Sequence, residues 1–316
     1  MSGRSYTPGS MLPVDVALPT EITDRLGVAT MTIRPMVRGE LDELVAWAAG
    51  EGWNPGLDDA EVFWATDPAG FVAATIGDEL IGGGSVVSYD GRYGFMGFFI
   101  VRPDLRHHGL GRALWFARRD TLLARLDPGA AIELDGVDDM VPFYAAGGFA
   151  VGHRDQRYEA IGVPQGDWPT DAGGDLVALA DVAWDEIAAY DAAHVPAPRP
   201  TFLDAWVRRP GGHALGVHDG RSLRAMVVAR PARAGVKVGP LFADDAGAAD
   251  ALLGAVLDRL HGVPVFLDVP MCNPAAVALA ERRAMAPVFG CTRMTLGSPP
   301  SLPWSEIFGV TTFELG

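Results

Sequence analysis

Two cysteines in 316 residues, Cys272 and Cys291, are too few for a disulfide framework or a cysteine-rich zinc site. Basic residues are also scarce, with 25 Lys and Arg against 40 Asp and Glu and a net charge of −15. So acidic a chain is a poor general ligand for a phosphate backbone, which excludes sequence-independent nucleic-acid binding and leaves only local sites for an anion. No run of 18 apolar residues occurs, so no membrane-spanning helix is expected. The N-terminal MSGRSYTPGSMLPVDVALPTEITDRLG lacks the basic start and apolar core of a signal peptide. Its Ser, Pro, Thr and Gly content reads as a flexible leader over residues 1–28, and a reducing cytoplasm is the expected compartment. Two nucleotide signatures are missing too: the Gly-Lys-Ser/Thr of a triphosphate loop, and the acidic residue on a following parallel strand of the dinucleotide pattern.

What is present is globular material. Hydrophobic residues make up 49% and charged residues 21%, which excludes wholesale disorder. At about 100–200 residues per domain the length suggests two domains, each able to bury a core. Met31–Met36 alternates as a short strand, and Gly39–Ala49 carries Leu41, Leu44, Val45 and Ala48 at helical spacing. Phe71–Ile76, Glu79–Ser88 and Tyr93–Val101 read as an antiparallel meander joined by short turns. A helix follows to about Leu126, then a strand at Ala131–Leu134, a short helix at Asp138–Ala146 and a strand at Phe149–Tyr158. Between the meander and the long helix stands Arg106-His107-His108-Gly109-Leu110-Gly111. A strand that turns through glycine into a helix presents unpaired N–H groups and a positive dipole end, an anion site suited to a pyrophosphate. On the motif alone, a plain strand-to-helix turn explains these glycines as well.

Three features in order carry a resemblance. Arg106–Gly111 matches Arg/Gln-x-x-Gly-x-Gly/Ala, the strand Gly97–Val101 precedes it, and Phe143-Tyr144 followed by Gly148-Phe149 comes after. Together these resemble the GNAT family of acetyl-CoA-dependent N-acyltransferases. The stretch Gly52–Gly56 resembles a subgroup in which a standard N-terminal domain precedes a diverged second one. The resemblance implies an α+β fold, a mixed and mostly antiparallel sheet flanked by helices, in two tandem GNAT-like domains at 29–163 and 175–316 with a linker at 164–174. It also implies that Phe99, Ile100 and Val101 offer backbone groups to the pantetheine arm. The backbone amides of Arg106, His107, His108, Gly109, Leu110, Gly111 and Arg112 would hold the pyrophosphate. Tyr144 would protonate the departing thiolate. Many relatives carry an Asn after the fifth strand, where this chain reads Asp135-Gly136-Val137-Asp138.

From Gly174 a similar order of elements runs again, with strands expected at Asp175–Ala180, His213–Val217, Arg221–Ala229, Val236–Phe242 and Val265–Val269. The helix from Ala246 to His261 has Asp244 or Asp245 as N-cap. Two carboxylates thus replace the glycine-and-arginine turn and compete for the place of a pyrophosphate, so the second copy reads as non-catalytic. Trp304–Gly316 is apolar enough to pack as a closing strand or lid.

Acyl transfer to an amine needs a neutral nucleophile, a polarised carbonyl and an acid for the thiolate. Glu133 and Asp135 alternate onto one strand face and are candidate bases; each reads equally as a solvated or ion-paired carboxylate. Trp53 and Asn54, in the loop that by resemblance borders the acceptor, would stack on and orient it, or else anchor the loop. His107 and His108 are read as solvent-exposed. The expected reaction is direct acetyl transfer from acetyl-CoA, with no metal, to a primary amine of a small molecule. No nucleic-acid or membrane partner is expected, and the assembly would be a monomer or homodimer. A non-catalytic acyl-CoA sensor or scaffold, and an acetyltransferase acting on a protein lysine or N-terminus, are the alternatives.

Overall fold

The computed structural model describes residues 12–162 and 172–316. Its first half runs β1 (Val14–Ala17), α1 (Thr20–Leu26), β2 (Thr30–Pro35), α2 (Arg38–Gly50), α3 (Asp59–Thr66), β3 (Phe71–Ile76) and β4 (Glu79–Ser85). It continues through β5 (Val87–Tyr89), β6 (Tyr93–Phe95), β7 (Ile100–Val101), α4 (Leu110–Leu123), β8 (Ala131–Val137), α5 (Val141–Ala146) and β9 (Ala150–Ile161). The second half opens with β10 (Asp175–Ala178), α6 (Trp184–His194), α7 (Pro200–Val207), β11 (His213–His218), β12 (Leu223–Pro231) and β13 (Val236–Ala243). It ends with α8 (Ala246–Arg259), β14 (Pro264–Pro270), α9 (Pro274–Arg282), β15 (Ala286–Leu296) and β16 (Ile307–Gly309). The architecture is the expected α+β one, and among the described residues only β6–β8 and β13–β14 pair in parallel. Among the described residues no helix is long and apolar enough to cross a membrane.

The structure alters four expectations. The segment read as a leader is structured from β1 onward: β1 pairs with β2 from Val14↔Ile33 to Ala17↔Thr30, and Ile22 of α1 is buried. Residues 1–11 lie outside the described residues, as does most of the expected linker at 164–174. The meander is divided between two sheets. One has the order β1-β2-β3-β4-β7; the other, with eleven strands, runs β10-β11-β12-β13-β14-β9-β15-β8-β6-β5, with β16 paired to β13 off this path. Both long strands read from the sequence, 79–88 and 93–101, break where the chain steps from one sheet to the other.

The halves are also interleaved. β9 pairs with β14, β15 pairs with β8, and β9 and β15 pair with each other, so each half receives its last strand from the other. The exchange is sealed by two matched buried ion pairs. Arg157 on β9 stands opposite Asp268 on β14 and bonds both its oxygens at 2.6 and 2.8 Å. Arg293 on β15 stands opposite Asp135 on β8 and does the same at 2.6 and 2.9 Å. Bidentate pairing fixes orientation as well as charge, and removing one partner of such a pair costs about 3–5 kcal/mol because the other charge is left buried. The loop after α2 is also fastened to the second half. Gly56 bridges Ala232, the Leu57 amide donates to the Pro231 carbonyl at 3.0 Å, and buried Asp59 accepts from Arg209 and Arg230 at 3.1 Å each.

Candidate active site

The cleft forms where the chain changes sheets. β6 runs parallel to β8 from Tyr93↔Ala131 to Phe95↔Glu133, and the Met96 amide still reaches the Glu133 carbonyl at 2.9 Å. Phe98 then takes φ +51°, a conformation uncommon for a bulky residue, and the chain leaves to pair as β7 with β4. β7 ends its sheet, so one row of its backbone groups has no strand partner. The parting point is pinned by Arg118 of α4, whose Nη2 donates to the carbonyls of Ser85 at 2.8 Å and Gly97 at 2.6 Å. Arg118 is fully buried and has no carboxylate partner among the described residues; burial lowers its pKa to about 10. Sequence reading missed it, although a charged residue four positions after Leu114 on the apolar face of α4 is a legible signal.

Beyond β7 the chain passes His107 at φ +67° and Gly109 at φ +82° before entering α4. No side chain caps this 14-residue helix, so its first N–H groups are left for a ligand. Gly109 is the residue type that adopts this conformation without strain, and a Cβ there would meet no atom within 4 Å. Arg106 is partly committed: its Nε donates to the Val101 carbonyl at 2.7 Å and its Nη2 pairs with Glu51. Any anion here is therefore met mainly by backbone.

A cleft of about 680 Å³ joins these features. Arg106, His107, Gly109, Gly111 and Arg112 line one end, and Phe99, Ile100 and Val101 lead inward from it. Two expected residues lie off the wall: Leu110 is buried in the core beneath the turn, and His108 faces Glu21, with 3.8 Å from Nδ1 to the carboxylate. Tyr144 of α5 lines the cleft, its ring lying so close to β8 that a Cβ on Gly136 would fall 2.7 Å from it. Burial raises the Tyr144 phenol to about 12, with Arg118 acting in the opposite direction, so the hydroxyl holds its proton at neutral pH.

The two candidate bases separate. Glu133 is buried off the cleft wall and accepts from the Tyr93 hydroxyl at 2.8 Å, Thr295 at 2.9 Å and Arg293 at 3.1 Å. It fixes β15 against β8, which corrects its reading as a catalytic residue. Asp135 does line the cleft. Burial raises its pKa to about 7; Arg293 pulls it down and the charge of Asp155 pushes it up.

Asn54 also requires correction. Its side chain accepts from the Ala234 amide at 2.8 Å and donates to the Ala234 carbonyl at 2.9 Å, so it fastens the loop to the second half instead of facing a substrate. Trp53 lines the cleft. The second half adds Phe289, Phe313 and Glu314 to the wall. Periodicity holds no signal for these three, because strand exchange and the C-terminal tail bring them in from far along the chain.

A model of the acetyltransferase (GNAT) family matches residues 39–149, and a second acetyltransferase (GNAT) domain model matches residues 187–309. The chain is 27% identical over 288 residues to a holothin acyltransferase from a Pseudoalteromonas species, covering 91% of this chain and 95% of that one. Among solved structures, a candidate acetyltransferase from Pyrococcus horikoshii superposes with a TM-score of 0.76 at 20% identity, covering 90% of this chain and 96% of that one. A tandem GNAT protein from the clavulanic acid biosynthesis pathway superposes with a TM-score of 0.58 at 16% identity, covering 86% and 99%.

Proposed function

A GNAT half and a diverged GNAT half in one chain make this protein a tandem acyltransferase of the GNAT family, and from that premise we propose that it transfers an acetyl group from acetyl-CoA to a primary amine of a small molecule. The observation that carries the reading is the convergence, in one cleft, of an uncapped helix start, an edge strand and a protonated tyrosine. The α4 amides and Arg112 hold the pyrophosphate, and the free edge of Phe99–Val101 aligns the pantetheine arm. Acetyl-CoA, when bound, supplies the thioester that is cleaved. Asp135, whose pKa of about 7 matches neutral conditions, takes the proton of the incoming ammonium group. The neutral nitrogen attacks the thioester carbon, the C–S bond breaks, and Tyr144 gives its proton to the leaving sulfur. The second proton that the nitrogen sheds as the amide forms returns to Tyr144 through solvent, and Asp135 releases the first.

The small-molecule acceptor is favoured over a protein lysine by the wall that the second half builds across the cleft with Phe289, Phe313 and Glu314. Unpaired Cys272 and Cys291 suit a reducing cytoplasm. A thermal-shift screen of acyl-CoAs, followed by mass spectrometry of an amine panel, tests the reading. Acetyl-CoA is expected to stabilise the protein and to yield N-acetylated product; binding with no turnover on any amine would favour a sensor.

A further inference from the structure

Three aromatic side chains of the cleft wall, Trp53, Phe289 and Phe313, are drawn from three distant parts of the chain. A single buried residue holds all three. The Arg157 guanidinium lies 5.3 Å from the Phe289 ring centre and 5.1 Å from that of Phe313, and its Nη1 donates to the Trp53 carbonyl at 2.9 Å. Arg157 is not part of the cleft wall, and Asp268 fixes its other nitrogens. Phe289 and Phe313 stand 6.3 Å apart, centre to centre, at 45°. The rings are thus set in place before any ligand arrives, which lowers the entropy lost on binding.

Most of the carboxylate charge on the cleft wall is already spent. Glu51 pairs with Arg106, Asp135 with Arg293, and Glu314 with Lys237 at 3.5 Å, leaving the exposed Asp139 as the exception among the wall's carboxylates. A polyamine or a lysine-rich peptide would find few free counter-charges, whereas a flat ring would find faces on which to stack.

Resting on the acyl-transfer reading above, we infer that the acceptor is a ring-bearing amine, aromatic or heteroaromatic, selected by stacking among Trp53, Phe289 and Phe313. Two matched probe pairs test this in the full-length protein: 2-phenylethylamine against 2-cyclohexylethylamine, and tryptamine against hexylamine, with CoA thiol release measured under saturating acetyl-CoA. The flat member of each pair is expected to have a kcat/KM about tenfold higher, the scale of one or two aromatic contacts. Phe313→Leu and Phe289→Leu keep the apolar volume and should reduce that preference to less than about threefold, acting through KM for the amine and leaving acetyl-CoA affinity within about twofold. Equal or better turnover of the saturated amines overturns the inference, as does an unchanged preference in both variants. Absence of acetyl-CoA binding by calorimetry overturns the acyl-transfer reading itself and this inference with it.

Discussion

The two halves part their parallel strands at the same place and fill the gap differently. In the first, β6 and β8 share three paired positions and then diverge around an open cleft. In the second, β13 and β14 share three and then diverge around the chain's own tail. There β16 pairs with β13 at Leu241↔Gly309, and the Val310 amide donates to the Asp268 carbonyl of β14 at 2.9 Å. The tail lies so close that a Cβ on Gly239 would fall 2.4 Å from the Val310 carbonyl oxygen. The helix starts differ in the same sense. α4 opens uncapped from Gly109, whereas Asp245 accepts from the amides of Gly247 and Ala248 at 2.9 Å each and satisfies the start of α8 from within. An anion site and a stable helix cap are thus alternative uses of one feature.

The sharpest way to break this comparison is to give the first half the second half's charge. Gly109→Glu places a carboxylate in the proposed anion site and forces a side chain into φ +82°. Acetyl-CoA affinity measured by calorimetry should fall by about three orders of magnitude, an estimate for loss of the main phosphate contact. A change of less than threefold would mean that the turn is no phosphate site. Tyr144→Phe should do less. It keeps the ring that packs against Gly136 but removes the proton, so kcat should drop about 100-fold with acetyl-CoA affinity unchanged. An unchanged kcat would remove Tyr144 from the chemistry.

Asp135 and Asp268 provide a third contrast, since each is held by an arginine from the other half. The Asp135 pKa is raised to about 7, whereas Arg157 and Lys237 outweigh burial and hold Asp268 below the usual carboxylate range. If Asp135 accepts the amine proton, kcat/KM should rise about tenfold per pH unit up to pH 7 and then level. Asp135→Asn should flatten that limb and lower activity at pH 8 about tenfold. A limb that persists in the variant assigns it to another group, and Glu314→Gln then tests one of the other carboxylates on the wall. The sign for stability is the reverse of the usual carboxylate case. The folded state holds this proton more tightly than the unfolded chain, so the contribution is present below pH 4 and is lost as pH rises through about 7.

Much of the first half was legible because its signals are local. Leu41, Leu44, Val45 and Ala48 face the core at helical spacing as expected, and Gly109 and Tyr144 stand where their motifs put them. The misreadings share one cause, a long-range partner. Val14–Ala17 looked like leader because Ser, Pro and Gly dominate its surroundings, and it becomes a strand by lying beside β2. β9 was readable as a strand, but nothing in its alternation says that it completes the other half, and β15, which completes the first, was not read at all. Glu133 and Asp135 do share a face, yet which of them meets the cleft depends on where Arg293 arrives from residues far downstream. Asn54 is a further case, since its amide finds a backbone partner 180 residues away.

The smallest expected effect is the most direct test of what closes the second half. Asp245→Ala removes the cap of α8 and should cost about 1 kcal/mol, lowering Tm by about 2–4 °C. It also uncovers a helix start resembling that of α4. If the acidic cap alone excludes acetyl-CoA, titration of the variant should show a second binding equivalent. The geometry predicts that it will not, because residues 307–310 still occupy the space between β13 and β14 that a pantetheine arm would need. One equivalent before and after the substitution assigns the closure to the tail and makes the carboxylate a consequence of it, since a helix start that no ligand reaches is most stable when capped from within.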